Sequence, residues 1–168
     1  MKYKIRNVII IYVLILAAFI VQCTIFPKIG TISTAPNILL IIAFMSGYSR
    51  GKIPGLLTGF FAGLCFDVFY GECIGFYALL FLLIGYISGI WNKFFYTDNI
   101  HIPLVLLCCN EFCCSIIAFF FRYVMNGKFD FGTYFMHILI PEFFLTLVAG
   151  MILYLPLGKL YSRLSADS

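Results

Sequence analysis

Charged residues are scarce in this sequence: they make up 11% of its 168 residues, and only 7 residues are acidic. A typical soluble domain is about 25% charged and about 45–50% apolar. This chain is instead 63% apolar and 19% aromatic, with a mean hydropathy of +1.06. So few charges exclude a soluble globular domain, a disordered chain and a nucleic-acid-binding protein. The composition indicates an integral membrane protein with lipid around most of the chain.

Catalytic and cofactor signatures are also missing. The sequence has no G-x-S-x-G, H-E-x-x-H or P-loop motif, and no paired aspartate motif of membrane phosphotransferases. Its 7 cysteines fall mostly in apolar stretches, unlike the disulfide framework of a short extracellular chain. We therefore predict a protein that is not an enzyme and needs no cofactor or metal. An intramembrane enzyme without a known motif is an alternative.

Long apolar runs dominate the rest of the sequence. There are six, at about residues 8–26, 36–48, 53–70, 73–92, 102–121 and 134–157. About 20 helical residues cross the ~30 Å hydrocarbon layer, where every backbone amide needs a partner. Only the second run, Pro36–Tyr48, is too short to span the layer as it stands. It spans the layer if its helix begins earlier in the sequence or if the bilayer is thinner there. Otherwise it is a re-entrant segment. The sequence predicts an all-α six-helix transmembrane bundle that forms one domain, residues 1–168.

Lysine and arginine fall mostly on one side of this predicted bundle. With the N-terminus inside, the inner side carries Lys2, Lys4, Arg6, Arg50, Lys52, Lys93, Lys159 and Arg163. The outer side carries Lys28, Arg122 and Lys128. Because cytoplasmic loops of membrane proteins are enriched in these residues, we predict a multi-pass membrane protein with both termini in the cytoplasm.

Glycine recurs at every fourth position around the third run. The series is Gly47, Gly51, Gly55, Gly59 and Gly63, and the last three lie within the third predicted helix. Residues four apart share a helical face, and small residues on that face let another helix approach closely. We interpret the Gly55–Gly59–Gly63 face either as tight packing inside the bundle or as a docking groove for a partner's transmembrane helix.

Polar side chains inside the predicted spans gather toward the outer leaflet. We call five of them the outer polar cluster: Gln22, Asn37, Asp67, Arg122 and Glu142. Polar groups in lipid are costly unless they pair. We therefore predict that Arg122 pairs with Asp67 or Glu142. The cluster is either a structural clamp or a site that faces a partner or ligand.

The fifth run carries an acid and four cysteines whose roles are open. Glu111 lies near mid-membrane, and a proton relay there would need a second acid, which the predicted topology does not supply. Cys108, Cys109, Cys113 and Cys114 invite a metal interpretation. A zinc site needs four tetrahedral ligands, however, and four thiolates in lipid would be costly. We predict that these cysteines pack as small residues.

The ordered set of these residues resembles the rod shape-determining protein MreD family of bacteria. The resemblance rests on Gln22, Pro36-Asn37, Arg50-Gly51, Gly55-x-x-x-Gly59-x-x-x-Gly63-Leu64-x-x-Asp67, Gly75, Gly85-Tyr86, Pro141-Glu142 and Tyr154. It covers nearly the whole chain. The short second run and the cysteine-rich fifth run, with its Glu111, depart from the family pattern.

The resemblance implies a non-catalytic scaffold and regulator of the cell-elongation (rod) complex, which controls cell shape and lateral peptidoglycan synthesis. Proteins of this family associate with MreC, a single-span protein with an extracellular coiled coil. Through MreC they are linked to MreB and to RodA with its transpeptidase. The resemblance also implies a bacterial cytoplasmic membrane location and a fold like that of the substrate-binding subunits of energy-coupling-factor transporters. The oligomeric state, including a homo-oligomer, stays open.

A vitamin-binding subunit of such a transporter is the alternative function. It would share the size, the helix count and an outer polar pocket, but it would hold a small ligand in a closed cavity and need a coupling subunit. The Ala-x-x-x-Ala spacing that these subunits use on their first span is absent here, since that run contains only Ala17 and Ala18.

Overall fold

The computed structural model of the chain is mostly helical over the residues it describes, which are 2–25, 36–70, 73–95, 101–126, 132, 136 and 139–166. Six helices are bounded among them: α1 (Lys2–Ile25), α2 (Ile38–Arg50), α3 (Lys52–Tyr70), α4 (Phe76–Phe95), α5 (His101–Asn126) and α6 (Ile140–Ala166). Each predicted apolar run corresponds to one of these helices, so the all-α architecture expected from the sequence is confirmed.

Four of the helices are long and apolar enough to cross a membrane. Their spans are Arg6–Thr24, Lys52–Phe69, His101–Phe121 and Ile140–Tyr161. The apolar parts of the other two, Ile38–Arg50 and Phe76–Asn92, are shorter. The fourth predicted run began at residue 73, but residues 73–75 form a turn before α4, with Gly75 at φ 105°.

The short helix α2 is the centre of the molecule. Every residue from Ile38 to Tyr48 is buried, and α2 contacts all five other helices. A helix that is apolar on all sides is expected to be enclosed by protein. Its 13 residues extend about 20 Å, less than the ~30 Å hydrocarbon layer. Because its sides face protein, α2 does not have to match the thickness of the lipid.

The glycine face of α3 lies directly against α4. Three backbone contacts result: Gly55 against Gly85, Gly59 against Phe81, and Gly63 against Ala78. A Cβ atom at any of the three α3 positions would overlap backbone atoms of α4, and backbone cannot move aside as a flexible side chain can. Between Gly55 and Gly63, α4 therefore occupies the position that a docked partner helix would need.

Glycine also brings α2 against its neighbours. Gly47 lies against Gly85 and Ser88 of α4. The two helices run parallel because each of them is antiparallel to α3. A single residue, Gly51, separates α2 from α3 and has φ 94°, a left-handed conformation that glycine adopts without steric cost. We call α2, α3 and α4 the central trio.

The flanking helices α1, α5 and α6 are held more loosely. Of the membrane-spanning residues, 39% are buried in α3, but only 28% in α1, 22% in α5 and 17% in α6. Phe76 of α4 stacks on Phe121 of α5 with ring centroids 3.9 Å apart. Side chains such as these, rather than backbone contacts, attach the flanking helices, whose remaining apolar faces are exposed.

Candidate functional site

Asp67, from the outer polar cluster, caps the start of α4. Its carboxylate is 1% exposed and accepts backbone N–H bonds of 2.9 Å from Gly75, Tyr77 and Ala78. The first N–H groups of a helix have no partner within the helix, and the positive end of the helix dipole favours a carboxylate. The side chain therefore ties the end of α3 to the start of α4.

Asn37 and Gln22 likewise accept hydrogen bonds from backbone amides at the start of α2. The Oδ1 atom of Asn37 accepts the N–H of Leu40 at 3.2 Å, as an N-cap residue does. The Oε1 atom of Gln22, at the end of α1, accepts the N–H of Leu39 at 3.4 Å. Since α2 and α4 run parallel, both capped ends lie on the same side of the bundle. That all five residues of the outer polar cluster share one layer stays a prediction.

Thr146 of α6 joins this layer, although the sequence analysis did not identify it. Its Oγ1 accepts the backbone N–H of Asn37 at 3.0 Å, and its side chain is 1% exposed. The signal was present in the sequence, because Thr146 lies one helical turn after Glu142 and so shares its face. Thr146 is the contact through which α6 reaches the buried end of α2.

Glu111 of α5 faces the same group. Its side chain is 2% exposed and lines a narrow crevice with Cys108, Phe143 and Thr146. The hydroxyl of Thr146 is the hydrogen-bonding neighbour of its carboxylate. Glu142 of α6 interacts electrostatically with Glu111. A second acid is therefore close enough to Glu111 to affect its charge, which the predicted topology did not suggest.

The predicted Arg122 ion pair is not tested. Arg122 lies in α5, but its side chain is outside the part of the chain that the structure describes. The known partners of the Asp67 carboxylate are backbone amides of α4. The pairing of Arg122 with Asp67 or Glu142 stays a prediction.

The cysteines of α5 are free and spread around the helix. Cys114 is buried, Cys108 is half-buried, and Cys109 and Cys113 are exposed. Over the described ranges, no group of three or more His, Cys, Asp or Glu side chains is arranged to hold a metal ion.

Polar contacts at the opposite end hold the central trio together. The hydroxyls of Ser46 and Thr58 lie 2.9 Å apart, and that of Thr58 donates to the carbonyl of Pro54 at 2.7 Å. The side-chain amide of Asn92 donates to the carbonyl of Tyr48. At both ends of the bundle most of the described hydrogen bonds connect a side chain with the backbone. These hydrogen bonds fix the ends of helices, and none of them joins a nucleophile to a general base.

The model of one protein family, described as rod shape-determining protein MreD, matches residues 1–164 of the chain. Neither a curated protein nor a solved structure matches it. The match covers almost the whole sequence, so the chain belongs to the MreD family. It is accordingly a multi-pass membrane protein. It has a part in determining rod shape, in association with the rod-shape complex. The family is a structural one and not a known enzyme family.

Proposed function

We propose that this member of the MreD family is a non-catalytic membrane scaffold and regulator of the cell-elongation complex, which controls cell shape and lateral peptidoglycan synthesis through MreC. The family match over residues 1–164 carries the proposal. The partners reached through MreC are MreB and RodA with its transpeptidase. The proposed location is the bacterial cytoplasmic membrane with both termini in the cytoplasm. The positive residues Arg6, Arg50 and Lys52 support this orientation, since α1 begins, α2 ends and α3 begins at one end of the bundle.

The polar contacts of the structure support a scaffold. The side chains of Gln22, Asn37 and Asp67 bind backbone amides and hold helix ends in place. A catalytic group has to be available to a substrate, whereas these oxygens are engaged in fixing the bundle. Fixed helices give a partner's transmembrane segment a surface of defined shape.

We place the partner's contact on the flanking helices and not on the glycine face, because α4 covers that face. The flanking helices expose apolar side chains toward the membrane, such as Val13 of α1 (58% exposed), Ile117 of α5 (46%) and Ile152 of α6 (68%). A single transmembrane helix packs on such a surface through van der Waals contact. The contact adds no strain to the central trio.

Photo-crosslinking in native membranes tests the proposal. A photoreactive amino acid replaces Val13, Ile117 or Ile152, one at a time, and crosslinked products are purified and identified. We expect a single-span protein with a coiled-coil domain from at least one position. Leu79 of α4, which is 58% exposed but belongs to the central trio, is the matched control and should give no such product.

The results distinguish the scaffold from the transporter subunit. Recovery of a coupling ATPase and a retained vitamin, with no coiled-coil protein, would overturn the scaffold proposal. The crevice between α1 and α3 has a volume of about 140 Å³ and opens toward the membrane. Pockets for drug-sized ligands measure about 300–1,000 Å³. This crevice by itself is therefore too small for a vitamin.

We further propose that the bundle shares the fold of the substrate-binding subunits of energy-coupling-factor transporters. The six helices and the length of the chain support this relationship. An experimental structure that superimposes on such a subunit helix by helix would establish it, and a different helix order would overturn it.

A further inference from the structure

An apolar crevice runs between α1 and α3 near the end of the bundle where α1 begins. Val8, Tyr12 and Ile15 of α1 form one wall, and Leu57 and Phe61 of α3 form the other. The volume is about 140 Å³, and Val8 and Leu57 are about half exposed. The crevice is therefore open to the outside of the bundle at Val8 and Leu57, and it is closed at its deeper end by the buried Ile15.

A cation lines this apolar crevice. Arg50, the last residue of α2, lines it with the two walls and is half-buried. Among the described residues no carboxylate forms an ion pair with Arg50, and the phenol of Tyr161 lies in its neighbourhood. Lys52, two residues later, points elsewhere, with Nζ 5.7 Å from the ring centroid of Tyr86 on α4. Among the described residues that line the crevice, Arg50 is thus the cation available to a ligand.

We propose that the crevice binds an anionic phospholipid, with the phosphate on the Arg50 guanidinium and part of one acyl chain between α1 and α3. A guanidinium forms paired hydrogen bonds with phosphate oxygens, and its charge complements an anionic headgroup. A cavity of about 150 Å³ accommodates benzene, so this one accommodates a segment of hydrocarbon chain. A transmembrane helix, about 10 Å across, is too wide for it.

This site has a structural role that is separate from the proposed contact with MreC. Among the described helices, α1 makes few contacts with the rest of the bundle, namely with α2 and α3. A lipid that touches α1, the end of α2 and α3 at once would join them. The inference therefore stands or falls independently of the partner's identity.

Native mass spectrometry of the full-length protein in detergent, titrated with phosphatidylglycerol or phosphatidylethanolamine, tests the proposal. We expect at least tenfold tighter binding of phosphatidylglycerol. Arg50→Gln should abolish this preference, and Arg50→Lys should keep part of it. Lys52→Gln is the matched control, since it removes a nearby positive charge outside the crevice and should leave the preference unchanged. Leu57→Trp should fill the crevice and weaken binding of both lipids.

Three results would overturn the inference. The first is equal binding of both lipids by the unmodified protein. The second is an equal loss of preference in Arg50→Gln and Lys52→Gln, which would indicate diffuse surface charge. The third is a photo-crosslink from position 57 in native membranes to a protein and not to lipid. Each variant is compared at matched melting temperature and elution volume, and Arg50→Lys provides the folded comparison if Arg50→Gln is not recovered.

Discussion

The central trio and the flanking helices differ in what holds them in place. In the trio, glycines let α3 and α4 approach until backbone meets backbone, and Asp67 fixes the start of α4 with three hydrogen bonds. The flanking helices are attached by side chains and by single hydrogen bonds, such as that of Thr146. In lipid, where apolar burial gives little net gain, close packing and polar contacts provide the cohesion. The trio should therefore be the rigid part of the molecule, and the flanking helices the part that a partner can rearrange.

The largest expected effect tests the backbone contact of α3 with α4. In Gly59→Leu the new side chain overlaps the backbone at Phe81, so we expect no folded protein. Size-exclusion chromatography in detergent measures recovery. Gly158→Leu on α6 is the control, because nothing lies within 4 Å of a Cβ there, and it should be recovered normally. Normal recovery and melting of Gly59→Leu would contradict the close approach.

The second effect concerns the cap on α4. Asp67→Ala leaves three buried amides without their acceptor, and we expect a loss of about 3 kcal/mol, since each unsatisfied buried donor costs ~1–3 kcal/mol. Equilibrium unfolding in mixed micelles measures it. Asp67→Asn keeps one acceptor oxygen and should lose less. Val68→Ala, at the exposed neighbouring position, should change little. If the cap contributes nothing to stability, all three variants will have the same free energy of unfolding.

The third effect compares one substitution in the two regions. Leu40 of α2 is 0% exposed, whereas Leu155 of α6 is 57% exposed. Leu40→Ala leaves a cavity in the trio and should cost about 2 kcal/mol. Leu155→Ala exchanges protein surface for lipid contact and should cost about 0.5 kcal/mol or less. The same unfolding assay measures both, and equal losses would remove the distinction between core and flank.

The smallest effect tests the link between α6 and α2. Thr146→Val keeps the shape but removes the acceptor for the amide of Asn37, so we expect a loss of about 1 kcal/mol. Hydrogen exchange at the start of α2 should rise in this variant. Thr146→Ser, which retains the hydroxyl, should behave like the unmodified protein. Unchanged exchange in Thr146→Val would show that α6 does not secure this end.

The sequence predicts the helices well because in lipid the apolar runs and the helices have to coincide. The six runs and their order are found in the structure, apart from the turn at residues 73–75 before α4. The sequence could not show that α2 is enclosed. A short run such as Pro36–Tyr48 is compatible with a thin bilayer, a re-entrant path or a buried core helix, and only its neighbours decide.

The partners of the polar residues are harder to predict from the sequence than the residues themselves. Asp67 and Asn37 stand out by their depth in the predicted spans, but the sequence does not show that they bind backbone amides. The pairing of Arg122 with Asp67 or Glu142 stays a prediction. A sequence does not distinguish one backbone N–H group from another, so a cap supplied by another helix cannot be recognised from it. The approach of Glu142 to Glu111 depends on how α5 and α6 are rotated, which the spacing of residues does not fix.

The one-residue link at Gly51 has a consequence for biosynthesis. With one residue between them, α2 and α3 can pair as a hairpin once both have emerged from the ribosome, and the 13-residue α2 is too short to span the bilayer by itself. It therefore enters the translocon together with α3, whose greater length carries it across. Lengthening the turn at Gly51 would separate the two insertion steps and leave α2 at the membrane surface.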